Sequence, residues 1–385
     1  MLARTPRVIL RKTGGVMYNV AITGTGLFTP SQIITNDELV AAFNAHADLW
    51  NAENADAIAA GTVDPKPHSS SDFIVAASGI ERRYVLDKQG ILDPDRMSPS
   101  LPPRNDDAPS IMAEIATNAA QTALKQAGLE AADIDLVICA ASNMERAYPA
   151  VAIEIQQALG AGGFGFDMNV ACSSATFGIQ TAVDAIRNQS AGSVLMVNPE
   201  ICSGHLNFRD RDSHFIFGDA CTAVVLSNEK KGYKVLGTRL KTLYSNNIRN
   251  NFGFLNRGDE NGIGKVDKLF VQNGRKVFKE VCPMVAEQIS QHVHDEGFEA
   301  QDLKRMWLHQ ANLSMNQLIS RRVLGRAATE AEAPVILDRY ANTSSAGSII
   351  AFHLHKEDLA AGDLGVICSF GAGYSVGSVL VEKQQ

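Results

Sequence analysis

Three side chains in the 385-residue sequence have the types and settings for chemistry: Cys172 in "NVACSSATFGI", His309 in "WLHQAN" and Asn342 in "YANTSSAGS". Cys172 follows a β-type run and opens an Ala-rich helical pattern, which puts its sulfur at a helix N-terminus. There the helix dipole and unpaired N–H groups favour thiolate, predicting a pKa below the ordinary value of about 8.5. Taken singly, a cysteine is more often a small buried hydrophobe, a histidine past a strand a satisfied structural residue, and an asparagine in a small-residue turn a cap. Together, at the strand ends where α/β proteins assemble sites, the three describe a nucleophile with two hydrogen-bond donors.

The elements that must position them alternate between strand-like and helix-like runs, the pattern of an α/β fold with helix-covered sheets. "YNVAITGTG", "IDLVICAAS", "GFGFDMNVA", "GSVLMVNPEIC" and "ACTAVVLSN" read as strands of a first half. Between them "SIMAEIATNAAQTALKQAGL" reads as a helix capped by Ser110 and ended by Gly128. A second half repeats the layout with a strand at "YKVLGTRLKT", a helix at "GRKVFKEVCPMVAEQISQHV", a strand at "KRMWLHQAN" and a closing pair in "LGVICSFGAGYSVGSVLVE". "FGDACTAVVL" and "FGAGYSVGSVL" echo each other as an FG turn entering an apolar strand, which points to an internal duplication jointed near residue 234. Residues 17–234 and 235–385 are the two expected halves, and 1–16 read as a flexible extension ahead of Met17. Two segments interrupt the repeat: 31–72 is helix-prone, and the Pro-rich 88–109 reads as a long surface loop of the kind that covers sites. Papain-like proteases also use Cys, His and Asn, but their local signature is absent around Cys172 and this layout is wrong for their fold.

Composition narrows the classes. With 45 % hydrophobic residues and a net charge of −7, the chain suits a globular core and argues against wholesale nucleic-acid or anionic-membrane binding. Six scattered cysteines without CxxC pairs read as reduced and buried, consistent with a cytoplasmic protein without disulfides. No apolar run reaches the roughly 18 residues of a membrane helix. "TGTG" lacks the full dinucleotide-loop spacing, and His292, His294, His353 and His355 form i, i+2 pairs on different helix faces, so neither a cofactor nor a metal is implied.

From Met17 onward the sequence resembles the β-ketoacyl-acyl carrier protein synthase III family, condensing enzymes of the thiolase superfamily. The resemblance rests on the order and spacing of "NVACSSATFGI", "HFIFGDACTAVV", "GRKVFK", "LHQAN", "ANTSSAGS" and "FGAGYSVGSV". It implies two pseudo-duplicated βαβαβαββ halves in five α/β/α/β/α layers. It also implies a decarboxylating Claisen condensation of an acyl thioester primer with malonyl-acyl carrier protein, initiating fatty-acid synthesis. In that chemistry Cys172 carries the acyl group, His309 and Asn342 stabilise the enolate, and the N–H groups of Cys172 and Ala372 form an oxyanion hole. Asn312, Gly274 and Phe278 match the pantetheine tunnel, Arg211 the adenine end of the CoA site, and Tyr148 an aromatic that caps the partner's acyl pocket in a homodimer. Arg275, Lys276, Lys279, Arg321 and Arg322 offer a landing patch for acidic acyl carrier protein, although such runs equally often only solvate helices.

Some positions depart from the family. Where members place a tryptophan and an arginine around the adenine, this chain has Phe73 and Ala77, which predicts stacking without a cationic partner. "ACSSA" replaces the common "ACAG". With the two insertions on the primer side, these departures predict a longer acyl primer or another acyl carrier. Two rival readings differ in function: a condensing enzyme of secondary metabolism (alkyl-ketone, quinolone or polyketide starter synthase) and a non-catalytic carrier-binding paralogue. A cysteine hydrolase is a third, and would release free acid without extender.

Overall fold

A computed structural model describes residues 19–262 and 264–385; the extension at 1–16 lies outside them. The first half contains β1 (Ala21–Phe28), β2 (Gln32–Thr35), α1 (Asn36–Glu53), α2 (Ala55–Ala59), α3 (Ser71–Ser78), β3 (Arg82–Val85), α4 (Gln89–Leu92) and α5 (Ile111–Ala127). It continues through β4 (Leu136–Ala140), α6 (Val151–Leu159), β5 (Phe164–Met168), α7 (Ser174–Arg187), β6 (Ser193–Ile201) and β7 (Asp219–Ser227). The second half contains β8 (Tyr233–Ser245), β9 (Ile248–Asn250), β10 (Phe270–Gln272), α8 (Gly274–Asp295), β11 (Leu303–Leu308), α9 (Leu313–Leu324), α10 (Leu337–Tyr340), α11 (Ala346–Leu354), β12 (Leu364–Gly371) and β13 (Gly373–Lys383).

Local signals behave as read. The Ser110 hydroxyl accepts from Ala113 N at 3.1 Å and Gly128 ends α5 in the left-handed conformation. In the 31–72 insertion Thr35 caps α1 with a full capping box to Glu38. The 88–109 segment is largely irregular beyond α4, as its prolines dictate.

Nine strands hydrogen-bond in the order β11-β12-β13-β8-β1-β7-β6-β4-β5. The two wings of this run meet along a short antiparallel junction, with Ala21 paired to Lys234, Ile22 to Tyr233, and Val235 N donating to the Val20 carbonyl at 2.8 Å. Helices α7 and α11 pack against strands of both wings, while α5 and α6 cover one outer face and α8 and α9 the other, giving five layers. Being sandwiched, α7 is buried on nearly every side, with Ala175, Ile179, Ala182 and Val183 joining Ile349 and Phe352 of α11 in the central core. The second half has one strand fewer than the first: residues 333–336, where the repeat would place it, are irregular. The immediately preceding Glu332 carbonyl accepts from Met306 N at 2.7 Å.

Burial of ionisable groups couples this packing to pH. Burial pushes His205, His214, His292, His309 and His353 down to about 4 from an ordinary 6.5. Between those values the unfolded chain takes up protons that the folded chain refuses, so acidification favours unfolding. Burial raises Glu200 to about 7 and Asp219 to about 6, which acts in the opposite sense, but two carboxyls face five imidazoles. Thermal melts are therefore expected to show Tm falling as the pH drops from 6.5 to 4.5, with a net proton uptake on unfolding of up to about three. A Tm that stays flat or rises over that interval would contradict it.

Candidate active site

Cys172 sits in a single 3-10 turn, Ala171–Ser173, between β5 and α7. The turn is strained, with Ala171 at φ 47°, and a set of serines holds it. Ser174 Oγ accepts from Val170 N at 2.8 Å and donates to the Ala171 carbonyl at 2.8 Å. Ser173 Oγ donates to the Ser375 carbonyl at 3.1 Å, tying the turn to β13 in the other wing. The second and third letters of "CSSA" thus pin the Cys172 turn.

From the second wing, β12 brings Gly371 against the cysteine: a β-carbon there would lie 2.6 Å from Cys172 Cβ and 3.0 Å from Sγ. Glycine is the residue that permits this approach, and it brings the Ala372 N–H to the sulfur. His309 follows β11, its backbone N–H donating to the Cys368 carbonyl at 2.8 Å and its ring standing edge-on to Phe370 at 5.2 Å. Burial holds the imidazole at about 4, so it is neutral at pH 7, and Nδ1 has no partner among the described residues.

Asn342 is fixed by its backbone, which bridges to Phe217: its N–H donates to the Ile216 carbonyl at 3.0 Å and its carbonyl accepts from Gly218 N at 3.1 Å. The side-chain Oδ1 accepts from Ser344 N at 2.8 Å, which turns the Nδ2 donors away from that contact. Ala341 and Ser344 on either side have φ of 54° and 48°.

Two participants escaped the sequence reading. Ser344 Oγ donates to Cys172 Sγ at 3.5 Å. Glu200, buried at the end of β6, accepts from Ser142 N at 3.0 Å, Ser142 Oγ at 2.5 Å, Ser345 N at 3.1 Å and the Ser345 hydroxyl. A glutamate inside the apolar strand run "LMVNPEIC" was the available signal for the second; Ser344 had none, because serine is ordinary in a turn.

The expected low cysteine pKa is corrected. Burial pushes the Cys172 thiol up to about 11, the Glu200 carboxylate adds to the rise, and the Ser344 hydroxyl with the Ala372 and Cys172 N–H groups offsets only part of it. The other five cysteines are free and buried.

One cavity of about 1130 Å³ joins Cys172, His309 and Asn342 to Phe73, Gly274, Arg275, Phe278 and Asn312. Its walls include Ile216, Phe217, Ile248, Phe270 and Phe370. The expectation of a stacking ring without a cation is also corrected: the Arg211 guanidinium lies over the Phe73 ring at 4.1 Å, supplied by the segment before Ser213 and not by position 77. Asn312 caps α9 and donates to the Ala77 carbonyl at 2.7 Å. Tyr148 lies away from the cavity and is 84 % exposed. Arg275, Lys276 and Lys279 are exposed on the first turns of α8, and Arg321 and Arg322 on the last turn of α9. Among the described residues no three His, Cys, Asp or Glu side chains gather at metal-binding distance, and His292 and His353 bond Ser378 Oγ and Thr25 Oγ1 at 2.8 Å each.

Cys172, on a strained turn between the two wings, thus shares one cavity with a neutral histidine and an asparagine amide, a thiol with two potential hydrogen-bond donors. Residues 166–243 match the family described as 3-oxoacyl-[acyl-carrier-protein (ACP)] synthase III, and residues 293–383 match its C-terminal counterpart. Over 347 residues the chain is 61 % identical to a β-ketodecanoyl-[acyl-carrier-protein] synthase of Pseudomonas aeruginosa, covering 89 % of this chain and 99 % of that protein. The crystal structure of a 3-oxoacyl-[acyl-carrier-protein] synthase III from Aquifex aeolicus superposes with TM-score 0.73 at 24 % identity, covering 94 % of this chain and 99 % of the other. That of a priming β-ketosynthase from a polyketide pathway superposes with TM-score 0.76 at 20 % identity, covering 96 % and 97 %. The chain belongs to the 3-oxoacyl-[acyl-carrier-protein] synthase III family, and it is an acyltransferase that performs the family's condensation onto acyl carrier protein.

Because the thiol is raised, alkylation of Cys172 by iodoacetamide is expected to accelerate about tenfold per pH unit from pH 7 to 10, without a plateau. A plateau reached by pH 8 would mean that the resting cysteine is a thiolate.

Proposed function

We propose that the chain condenses an eight-carbon acyl primer, delivered by CoA, with malonyl-acyl carrier protein to give β-ketodecanoyl-acyl carrier protein. The convergence of Cys172, His309 and Asn342 on one cavity carries this reading. The relative named for β-ketodecanoyl product supports the chain length, since condensation adds two carbons to the primer. The apolar walls at Ile216, Phe217 and Phe270 suit such a chain.

In the first half-reaction Cys172 sulfur bonds to the primer carbonyl carbon, the C–S bond to CoA breaks, and CoA departs as the free thiol, taking up the proton that Cys172 loses. The Ser344 hydroxyl and the N–H groups around the sulfur favour the thiolate during this step. The N–H groups of Cys172 and Ala372 hold the tetrahedral oxyanion. In the second, malonyl thioester loses CO₂, and the electron pair left behind forms an enolate whose oxygen accepts from neutral His309 and from Asn342 Nδ2. The enolate carbon bonds to the acyl carbon, Cys172 thiolate leaves and takes a proton from solvent. A histidine held at about 4 stays a donor without carrying charge across the working pH range.

Arg275, Lys276 and Lys279 run against the α8 dipole, an arrangement that anion docking would offset, and none of these or of Arg321 and Arg322 makes a side-chain ion pair among the described residues. They are read as the carrier-protein patch. Exposed Tyr148, together with half-exposed Phe164 on the free edge of β5, supports a homodimer in which each Tyr148 reaches the partner's cavity. Six free cysteines support a cytoplasmic setting, and among the described residues no helix is long and apolar enough to cross a membrane.

Intact-protein mass spectrometry tests the first half. Octanoyl-CoA is expected to acylate the wild type faster than acetyl-CoA, and Cys172→Ala not at all; equal or better transfer from acetyl-CoA would overturn the chain-length assignment. His309→Ala and Asn342→Ala are expected to keep acylation while slowing β-ketoacyl product formation by about 10²–10³. If either variant loses acylation as severely as condensation, its role in the second half is wrong. Sedimentation should give a dimer, and a monomer at micromolar concentration would refute the shared cavity.

A further inference from the structure

The two insertions meet beside the cavity, where they hold two cations, Lys66 and Arg209, that have no ion-pair partner among the described residues. Lys66 is held on three sides. Its backbone N–H donates to Asn51 Oδ1 at 2.8 Å and its carbonyl accepts from Asn51 Nδ2 at 3.0 Å. Its Nζ lies 4.9 Å from the centre of the Trp50 ring and 3.4 Å from His46 Nε2. His46 Nδ1 is 2.9 Å from the Pro94 carbonyl, which can only accept, so the ring proton sits there and Nε2 is a neutral acceptor for Lys66.

Arg209 is likewise tied to neutral groups, donating to the Asp95 carbonyl at 2.6 Å and the Arg96 carbonyl at 3.2 Å. Burial and the nearby Arg209 charge both lower the Lys66 pKa. Arg211 donates through Nε to the His68 carbonyl at 2.8 Å while covering Phe73. The neighbouring acids are engaged elsewhere: Asp48 pairs with His68 at 2.7 Å, Asp212 pairs with Arg211 at 3.8 Å, Asp210 on the cavity wall accepts from Asp212 N at 3.1 Å and Ser213 Oγ at 2.5 Å, and Glu53 acts on His46 through space. Neither Lys66 nor Arg209 has an ion-pair partner among the described residues.

Cations pinned close together by neutral groups repel one another, and an arriving anion relieves that repulsion. Phe73 and Arg209 both line the cavity that ends at Cys172. We infer that Lys66 and Arg209, flanked by Arg211, form a phosphate-monoester subsite that takes the 3′-phosphate of CoA when the adenine lies against Phe73. This rests on the reading that CoA delivers the primer. The insertions thereby acquire a role in donor choice. The phosphopantetheine of a carrier protein has only a phosphodiester, so the subsite selects CoA as primer donor.

Calorimetry on the full-length protein separates the two readings. Adenosine 3′,5′-bisphosphate is expected to bind wild type at least about tenfold more tightly than adenosine 5′-monophosphate, about 1.4 kcal/mol. Lys66→Ala should bind both alike and Lys66→Arg should recover part of the difference. Inorganic phosphate should compete only weakly. Equal binding of the two nucleotides by wild type, or full discrimination by Lys66→Ala, would overturn the subsite. Inorganic phosphate binding as tightly as the bisphosphate would make it a free-phosphate site and overturn the assignment to CoA. Octanoyl-CoA and octanoyl-dephospho-CoA are then compared for acylation of Cys172, with a similar tenfold preference expected. If the bisphosphate is discriminated but neither thioester acylates Cys172, the subsite stands and the CoA-donor reading falls.

Discussion

At the base of the cavity, β12 passes so close to Cys172 that any side chain at Gly371 would meet it within 3.0 Å. That contact sets the distance between the wings. It brings the Ala372 N–H to the sulfur, and the same wing delivers His309 from β11 and Asn342 from the segment before α11. The wings touch through a brief β1–β8 pairing, so their register at the site depends on α7 and α11, whose small and branched residues fill the layer between them. A methylene too many in that layer would be felt at the site, because close-packed interiors transmit volume changes.

The resting site carries little charge. Burial raises Cys172 and Glu200 and lowers His309, each toward its neutral form, since a low-dielectric cavity penalises the ion. The proposed reaction creates negative charge at two oxygens in turn, and fixed N–H donors are what such a cavity can offer without reorganisation. A raised thiol is compatible with this arrangement: the thiolate need exist only when a thioester is present to receive it.

Strain and its compensation sit side by side. Ala171, Ala341 and Ser344 adopt positive φ within the segments that present Cys172 and Asn342, and hydroxyl groups hold those segments in place. Glu200 serves both, reaching Ser142 beside the cysteine turn's support and Ser345 beyond Asn342. Its oxygens accept from four N–H and O–H donors and from the Cys202 thiol, which is how a carboxyl can be buried in a β-strand end.

The strands, the Ser110 and Gly128 caps and the punctuation by prolines were legible because they depend on residues a few positions apart. That Cys172, His309 and Asn342 would come together was legible because each sits in a local pattern of strand end or small-residue turn, and one cavity joins them. Four things were decided only by tertiary structure: the direction of the Cys172 shift, the Ser344 contact with its sulfur, the Arg211 guanidinium over Phe73, and the meeting of Lys66, from the first insertion, with Arg209, which the second insertion's carbonyls hold. Each depends on distance and dielectric between segments far apart in the chain. A helix N-terminus predicts a thiolate from its own dipole, but how much water the fold removes from the sulfur is set by the opposite wing.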